Sequence, residues 1–400
     1  MKTKTLISAL IIGTFLLCSC GSSNRKQQDG DLPVINLTGN HPRKEIRIQD
    51  IAVVEYIPLE TTDDVLLGQS SFLSHISDKY IVVFDLMLGN IFVFNRNGRI
   101  MSHFNHRGQG PMEYANISDV VFDENTGEIF VFDSWSHRIL VYSINGEYKR
   151  TLRIPPDLFL RVGSAANFDN ETILVYDAAR LAYPDGHIRN KRPYMLLSKR
   201  DGSIVYSFNI KLPIRYLNRI AEQFETNGEV WTFPIEISTP NNKHFGRDFV
   251  IANISSDTIF LLTQDRVLTP LFVRRPSIHS SVEPRRVLTT LLKTDKFIVL
   301  RLTTLDFDAA RRGGRAIPPI FLIHEFETGK TSEVSFMGEA GPWMFSFGQT
   351  AIGKNMDAVL VPAFVFTRAY ENNRLPDELK PLAASLDEED NPVVRIVTFK

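Results

Sequence analysis

Two stretches of this sequence decide its fold: YIVVFDLMLGNIFVFNRNGRIMSHF at residues 80–104 and EIFVFDSWSHRILVYSINGEYKRTL at residues 128–152. They align without a gap at an offset of 48 residues. Each contains two short runs rich in Val, Ile and Phe, then an Asn-Gly pair and a third run. Such runs are typical of β-strands, and Asn-Gly tolerates the positive φ angles of a tight hairpin. Each stretch therefore predicts three antiparallel strands.

A fourth strand precedes each copy, at Ser71–Ser77 and at Ile117–Asp123. Four antiparallel strands in about 40 to 50 residues are the repeating unit of a β-propeller. One such sheet leaves both of its apolar faces exposed, whereas a ring of sheets buries them. We therefore predict an all-β chain that forms a six-bladed β-propeller of four-stranded antiparallel blades.

The later blades follow from strand pattern rather than from sequence identity. The strands expected for blades three to six include Thr172–Asp177 and Tyr194–Lys199; Glu229–Phe233, Thr258–Thr263 and Leu268–Val273; Lys296–Leu302 and Ile320–Glu325; and Ala358–Phe366 and Val393–Phe399. The early strand Glu45–Ile57 is expected to complete the sixth blade, so that both ends of the chain close the ring. Helical spacing of apolar residues predicts short helices at Arg215–Glu225 and Val287–Lys293.

The N-terminal residues have the layout of a secretory signal peptide: a short basic start, an apolar core at residues 6–17, and small or polar residues after it. The sequence LLCSCG at residues 16–21 resembles the lipobox of bacterial lipoproteins. This resemblance implies a signal peptide over 1–19, a tether over 20–44 that starts at lipidated Cys20, and a propeller domain over 45–400. An ordinary signal peptide cut near Ser19 is the alternative.

Composition limits the partners and the compartment. The formal net charge is −1, which offers no electrostatic basis for binding nucleic acid. Both cysteines, Cys18 and Cys20, lie in the leader, so an exported domain has no disulfides and depends on its own core. We expect a monomeric domain in the cell envelope, on the outer membrane, with membrane contact through the lipid anchor alone.

Residues 129–148, IFVFDSWSHRILVYSINGEY, resemble the NHL-type propeller repeat at Asp133, His137, Arg138 and Ile139, with Ser136 in place of the usual Asn. From about residue 45 to 400 the chain also resembles exported six-bladed β-propeller proteins of Bacteroidetes. The residues that carry this likeness are YIPLET at 56–61, RGQGPMEY at 107–114 and Asn-Pro at 391–392. The resemblance implies fold and export, and it supplies no catalytic residues.

Sequence motifs of catalysis are absent from the chain. It has no HExxH zinc site, no GxSxG nucleophile elbow, no P-loop and no GxGxxG after a strand. Its nine histidines are scattered. We therefore predict no catalytic residues, no metal site and no cofactor.

Propeller geometry gives a better hypothesis about binding. In a four-stranded meander, the link between the second and third strands emerges on the same face as the link between blades. Loops on a rigid scaffold are where binding residues concentrate. The candidate binding residues on this face are Arg107, Tyr114, Asp133, Trp135, His137, Arg180, Tyr183 and Arg192.

Structural roles compete with binding at several of these positions. Asp133 recurs as Asp85 in the repeat, so both are expected to accept hydrogen bonds from turn amides. Arg107 and Tyr114 have the alternative role of locking adjacent blades together.

The sequence favours a binding or scaffold module for a glycan, a peptide or an envelope protein. The alternative is a propeller enzyme, a carbohydrate lyase or hydrolase, whose acidic and basic residues would gather near the central axis. A purely structural subunit of an envelope complex is the third possibility.

Overall fold

The computed structural model describes residues 32–400 except for 134–135, 155–161, 178–191, 211, 213, 217–218, 227–228, 237–242, 246–247, 313–316, 339–345 and 349–350. One compact unit spans Pro33–Lys400. Within the described residues, no helix has the length and apolar character needed to cross a bilayer.

The chain begins with short elements that each join a sheet made mainly by later residues. They are β1 (Val34–Asn36), β2 (Arg43–Arg47), a four-residue helix α1 (Ile48–Ile51) and β3 (Ala52–Pro58). The folded region therefore starts earlier than the predicted boundary at residue 45, and residues 34–36 belong to a sheet rather than to a tether.

The repeated stretches form the first two blades as predicted. Blade 1 consists of β4 (Ser71–Ile76), β5 (Tyr80–Asp85), β6 (Asn90–Asn95) and β7 (Ile100–Asn105). Blade 2 consists of β8 (Asp119–Asp123), β9 (Glu128–Asp133), β10 (Arg138–Ser143) and β11 (Tyr148–Arg153). In both sheets, strands that follow each other along the chain pair antiparallel.

The continuous apolar runs are explained by burial on both faces of each sheet. In β5, Ile81 and Val83 pack with residues of the last blade, whereas Val82 and Phe84 pack with residues of blade 2. Successive side chains of a strand point to opposite faces, so a blade between two neighbours needs apolar residues at every position. This packing between blades forms the core.

The Asn-Gly turns need glycine for two reasons. Gly98 and Gly146 have φ angles of +79° and +83°, which side chains disfavour. A Cβ atom at Gly146 would lie 2.6 Å from the Phe104 ring, and one at Gly98 would collide with the Pro58 carbonyl oxygen. Each turn therefore packs against the outer strand of the preceding blade.

Blade 3 contains β12 (Val162–Asn167), β13 (Thr172–Asp177), β14 (Tyr194–Ser198) and β15 (Ile204–Ser207). A separate hairpin follows, made of β16 (Arg219–Thr226) and β17 (Glu229–Glu236). The predicted helix at Arg215–Glu225 is wrong, because most of that segment is strand β16. The predicted assignment of Glu229–Phe233 to blade 4 is also wrong, because these residues belong to the hairpin.

Blade 4 contains β18 (Lys243–Phe245), β19 (Asp248–Ile251), β20 (Thr258–Leu262) and β21 (Leu268–Arg275), and a 3₁₀ helix, Ile278–Ser280, follows it. Blade 5 contains β22 (Arg285–Lys293), β23 (Phe297–Leu305), α2 (Phe307–Arg311), β24 (Ile320–Glu325) and β25 (Thr331–Met337). The predicted helix at Val287–Lys293 is wrong: the segment is strand β22, and its apolar residues are buried on both faces.

The N-terminal strands widen blades 4 and 5 at their outer edges. Strand β1 pairs parallel with β21, and β2 pairs parallel with β25. The chain therefore follows the outside of the ring from blade 4 to blade 5 before it reaches blade 6. The two added strands cover sheet edges that would otherwise present unpaired backbone groups.

Blade 6 joins both ends of the chain. It contains β26 (Ala351–Gly353), β27 (Met356–Val361) and β28 (Val393–Phe399), and β3 is its fourth strand. Between β27 and β28 lie α3 (Ala363–Glu371), a 3₁₀ helix, Asp377–Leu379, and α4 (Lys380–Ala384). The predicted ring closure is confirmed, and the predicted strand Ala358–Phe366 ends instead at Val361, before helix α3.

The completed molecule is a six-bladed β-propeller. Each of its six sheets contributes four antiparallel strands, and blades 4 and 5 carry the parallel additions at their edges. This is the predicted fold class.

The buried side chain of Asn391 reinforces the closure of the ring by blade 6. Its side chain donates to the carbonyl oxygens of Glu60 (2.8 Å) and Val65 (2.7 Å) and accepts from the Leu67 amide (2.8 Å). Its own amide donates to the Thr61 hydroxyl (2.9 Å). Two sequence elements more than 300 residues apart, YIPLET and Asn-Pro, are thus held together.

We predict that Asn391→Ala lowers the free energy of unfolding by about 2–4 kcal/mol, because three backbone groups lose a buried partner. Urea denaturation followed by tryptophan fluorescence measures this change. The control is Asn372→Ala, at an exposed side chain that bonds only within its own helix end. Equal, small losses for both variants would contradict the structural role of Asn391.

Candidate binding face

The connections of the propeller divide into two sets. We call the surface formed by the links between the second and third strands of each blade, together with the links between blades, the loop face. The links between first and second strands and between third and fourth strands form the turn face. Among the described residues, the long insertions belong to the loop face: the hairpin of β16 and β17, residues 306–312 with helix α2, and residues 362–392.

Connections of the turn face are short by comparison. Residues 96–99, 144–147 and 199–203 link third to fourth strands, and residues 124–127 and 168–171 link first to second strands. When the connections on one face are short and those on the other are long, the surface that can vary in sequence and shape lies on the face with the long connections.

The RGQGPMEY element is the link between blades 1 and 2, and Tyr114 is its buried anchor. The Tyr114 hydroxyl donates to the Gly89 carbonyl oxygen (2.6 Å) and accepts from the His106 amide (2.9 Å). Burial raises the pKa of Tyr114 to about 12. Arg107 donates to the Met87 carbonyl oxygen. Arg107 and Tyr114 therefore hold the link against blade 1.

The same link also docks onto blade 2. The Glu113 carbonyl oxygen accepts from Arg138 (2.6 Å), and the Met112 carbonyl oxygen accepts from the Tyr142 hydroxyl (2.7 Å). The Glu113 carboxylate folds back onto its own turn and accepts from the Gly110 amide (2.8 Å). The element that resembles the exported family is thus a clamp between two blades.

The repeated aspartates are buried and hold turns. Asp133 accepts from the amides of Ala115 (3.0 Å) and Ser136 (3.3 Å). Asp85 accepts from the amides of Met87 (2.8 Å) and Leu88 (2.7 Å). Both carboxylates serve the backbone, which is the structural alternative considered from the sequence.

The other predicted site residues are placed unevenly. His137 has a φ of +51° and is partly buried at the start of β10, next to the Asp133 turn. Arg192 is exposed just before β14 on blade 3. Trp135, Arg180 and Tyr183 lie outside the described residues. The structure therefore brings Arg107, Tyr114, Asp133 and His137 to the junction of blades 1 and 2, with Arg192 on the next blade.

Sequence reasoning missed the apolar side chains that the loop face exposes. Among the described residues, nine large apolar side chains that are exposed lie in its connections, whereas one, Val267, lies in a connection of the turn face. The nine are Leu66, Met87, Leu88, Met112, Ile214, Val282, Ile317, Phe364 and Tyr370. No sequence periodicity could reveal them, because they lie in irregular links and on one short helix.

Helix α3 shows how such exposure arises. Phe366 is fully buried against the blade, whereas Phe364 and Tyr370 on the same helix are 41% and 42% exposed. The helix thus packs one side on the propeller and presents aromatic rings on the other.

Acidic and metal-binding chemistry is sparse in the described part of the chain. No group of three or more His, Cys, Asp or Glu side chains there is arranged to hold a metal ion. One carboxyl group near the axis is perturbed: burial raises the pKa of Asp119 to about 6, against the lowering effect of the Ala165 and Val120 amides. It accepts from the Ala165 amide at 2.7 Å and so ties the innermost strands of blades 2 and 3 together.

Comparison with known families places the chain. Residues 32–398 match the family model described as "Domain of unknown function (DUF4934)". The chain belongs to the DUF4934 family. No curated protein sequence matches it.

Solved structures match the chain at low sequence identity. A Bacteroides fragilis protein described as exported has a TM-score of 0.62 at 13% identity, over 92% of this chain and 99% of its own. A DUF4221 member from Bacteroides vulgatus has a TM-score of 0.44 at 11% identity, covering 88% and 97%. Virginiamycin B lyase from Staphylococcus aureus has a TM-score of 0.39 at 12% identity, covering 87% and 100%. At 13% identity, the likeness to the Bacteroides fragilis protein indicates a common fold alone.

The Asp119 carboxyl group predicts a pH effect. A raised pKa in the folded state means that stability is present at acid pH and is lost as the pH rises through 6. The variant Asp119→Asn removes this titration. Between pH 4 and pH 8, the free energy of unfolding of Asp119→Asn should therefore rise by up to about 3 kcal/mol relative to that of the unsubstituted protein. Urea denaturation across this range measures the gain, and parallel pH profiles would show that Asp119 does not titrate as described.

Proposed function

We propose that this protein is an exported, lipid-anchored binding module of the cell envelope whose loop face holds a peptide or protein partner. One observation carries the proposal: exposed apolar side chains concentrate in the links of the loop face. Contiguous exposed apolar surface on a soluble domain marks an interaction site, so the proposal requires several of these side chains to contact one partner. A glycan partner, also open from the sequence, would favour convergent polar groups and flat aromatic rings over scattered Met, Leu and Ile side chains.

The contacts around the candidate residues support binding over catalysis. A lyase or hydrolase needs carboxylates that are free to exchange protons with a substrate. Asp85 and Asp133 are fully buried and accept hydrogen bonds from turn amides. Arg107 and Tyr114 are occupied as clamps between blades. Partner contact therefore falls to the exposed side chains around them.

The anchor and export belong to the same proposal. They rest on the signal-peptide layout and the lipobox-like residues 16–21. The likeness to a protein described as exported agrees with this. An anchored propeller presents a fixed binding face at the membrane surface.

The variant Cys20→Ser should abolish covalent lipid attachment, because the sulfur that would carry the lipid is gone. Labelling with a palmitate analogue and membrane fractionation measure this, with loss of the label and release into the soluble fraction as the expected result. Cys18→Ser is the matched control and should keep both properties. Continued labelling of Cys20→Ser would disprove the assignment.

The loop face is tested by placing a photo-crosslinking amino acid at single exposed positions in living cells. At Phe364 and Met112 we expect one discrete protein or peptide adduct, of the same mass for both. Val267, exposed on the turn face, is the control and should give none. The variants Phe364→Ser and Met112→Ser should then weaken binding of the identified partner about tenfold or more without lowering the melting temperature. Adducts equally frequent at Val267 would contradict the proposal.

A further inference from the structure

A polar cleft opens on the turn face between blades 2 and 3. Its volume is about 620 Å³. The charged residues that line it are Asp123, Glu128, Arg150, Glu171, Lys199 and Arg200. Thr126, Asn170, Thr172, Ser198 and Val205 complete the lining. The cleft lies on the opposite face from the partner surface proposed above and is independent of it.

The equivalent place between blades 1 and 2 is filled by aromatic and apolar side chains, beside one polar contact in which His75 Nε2 lies 3.2 Å from the Glu124 carboxylate. Tyr80, the first residue of β5, packs edge-on against Phe122 with the ring centroids 5.6 Å apart. Ile144, the first residue after β10, packs against the same cluster. The interface between these two blades is therefore sealed by side chains.

The repeat departs from its own pattern at the next interface. Glu128 stands first in β9 where Tyr80 stands first in β5, and Lys199 follows β14 as Ile144 follows β10. Asn167 has the register of Phe122, because each pairs with the second residue of its neighbouring strand. Three apolar positions have thus become polar, and the buried Asn167 Oδ1 has no hydrogen-bond partner.

Stability does not explain this change. Lys199 and Asp123 are 6% and 0% exposed, and they form an ion pair of 2.6 Å. Replacing a buried ion pair with well-packed apolar side chains is often neutral or stabilising. One blade earlier Tyr80, Phe122 and Ile144 fill the three corresponding positions without a charge, so the charged floor points to a role in recognition.

The floor retains hydrogen-bonding capacity after its internal bonds are made. The Lys199 ammonium group has three protons and donates two hydrogen bonds, to the Asp123 carboxylate and to the Asp169 carbonyl oxygen (2.6 Å each). Arg150 binds both Glu128 oxygens, at 2.7 and 2.8 Å, and the Lys199 carbonyl oxygen, at 3.0 Å. The remaining N–H groups of Lys199 and Arg150 therefore lie beside carboxylate oxygens that can accept more hydrogen bonds.

The charge balance restricts the class of ligand. The lining contains three carboxylates and three cationic side chains, which compensate each other. A ligand with a net charge would therefore find no opposite charge left over to pair with it. Hydroxyl groups both donate and accept, and so match adjacent donors and acceptors without changing the charge. Val205, 47% exposed at the wall, offers an apolar contact for the C–H face of a sugar ring.

We propose that the cleft between blades 2 and 3 is a binding site for an uncharged glycan. The ion-paired floor of Arg150, Glu128 and Lys199 positions the sugar hydroxyls, and Glu171 and Thr126 at the rim supply further hydrogen bonds. A glycan site on the turn face would leave the loop face free for its partner.

The test uses the full mature protein with maltose, cellobiose and lactose as neutral probes and 3′-sialyllactose as the charged counterpart of lactose. Saturation-transfer NMR at millimolar concentration detects binding, and titration calorimetry gives Kd. We expect at least one neutral disaccharide to bind and sialyllactose to bind more weakly than lactose. The double variant Asp123→Ser with Lys199→Ile, which introduces the residue types of the equivalent positions Ser77 and Ile144 in the preceding interface, should weaken binding at least tenfold.

A milder variant keeps the test decisive if the double variant does not fold. Glu171→Gln, at an exposed rim position, should weaken binding about threefold to tenfold while leaving the melting temperature unchanged. Glu147→Gln, on an exposed turn outside the cleft, is the matched control and should bind as the unsubstituted protein does. Absence of binding by all three neutral sugars, equal binding of sialyllactose, or equal Kd values for Glu171→Gln and Glu147→Gln would overturn the proposal.

Discussion

The pairing of strands β3 and β28 is the constraint on which the rest of the molecule depends. Residues from opposite ends of the chain align over seven positions, from Ala52 opposite Phe399 to Pro58 opposite Val393. Without this pairing, blade 6 would lack its outer strand, and the cluster in which Ile81 and Val83 pack would lose Ile57. A ring buries both faces of every sheet only when it is closed, so the closing contact affects the core of all six blades.

Closure also explains why the two faces of the propeller differ. Strands are fixed by packing between blades, which leaves variation to the connections. The links of the loop face contain a hairpin and helices and expose apolar side chains, whereas the turns of the opposite face are short. The clamp around Tyr114 shows that some side chains of a loop-face link are used in hydrogen bonds to the blades. Only the remaining exposed side chains of such a link are available to a partner.

The repeat at residues 80–152 was sufficient to predict the architecture, because its continuous apolar runs indicate strands that are buried on both faces. The two turn glycines, the closing strand and the backbone role of Asp133 were also accessible from the sequence. Errors came where the apolar residues of a strand also fall at helical spacing: Val287–Lys293 has this spacing although it is a strand. The parallel strands β1 and β2 were hidden because edge pairing is set by backbone groups. The exposed apolar residues and the polar cleft depend on tertiary placement, which no local pattern encodes.

Native-state hydrogen exchange tests the closed ring most directly. The amides of β3 that donate to β28, and the amides of residues 393–398, should exchange only through global unfolding, with the same opening free energy as the central strands β5 and β9 of blades 1 and 2. Exchange of these β3 amides through a local opening several kcal/mol below the global value would contradict the account, because the N-terminal strand would then be an accessory to the ring rather than its closing element.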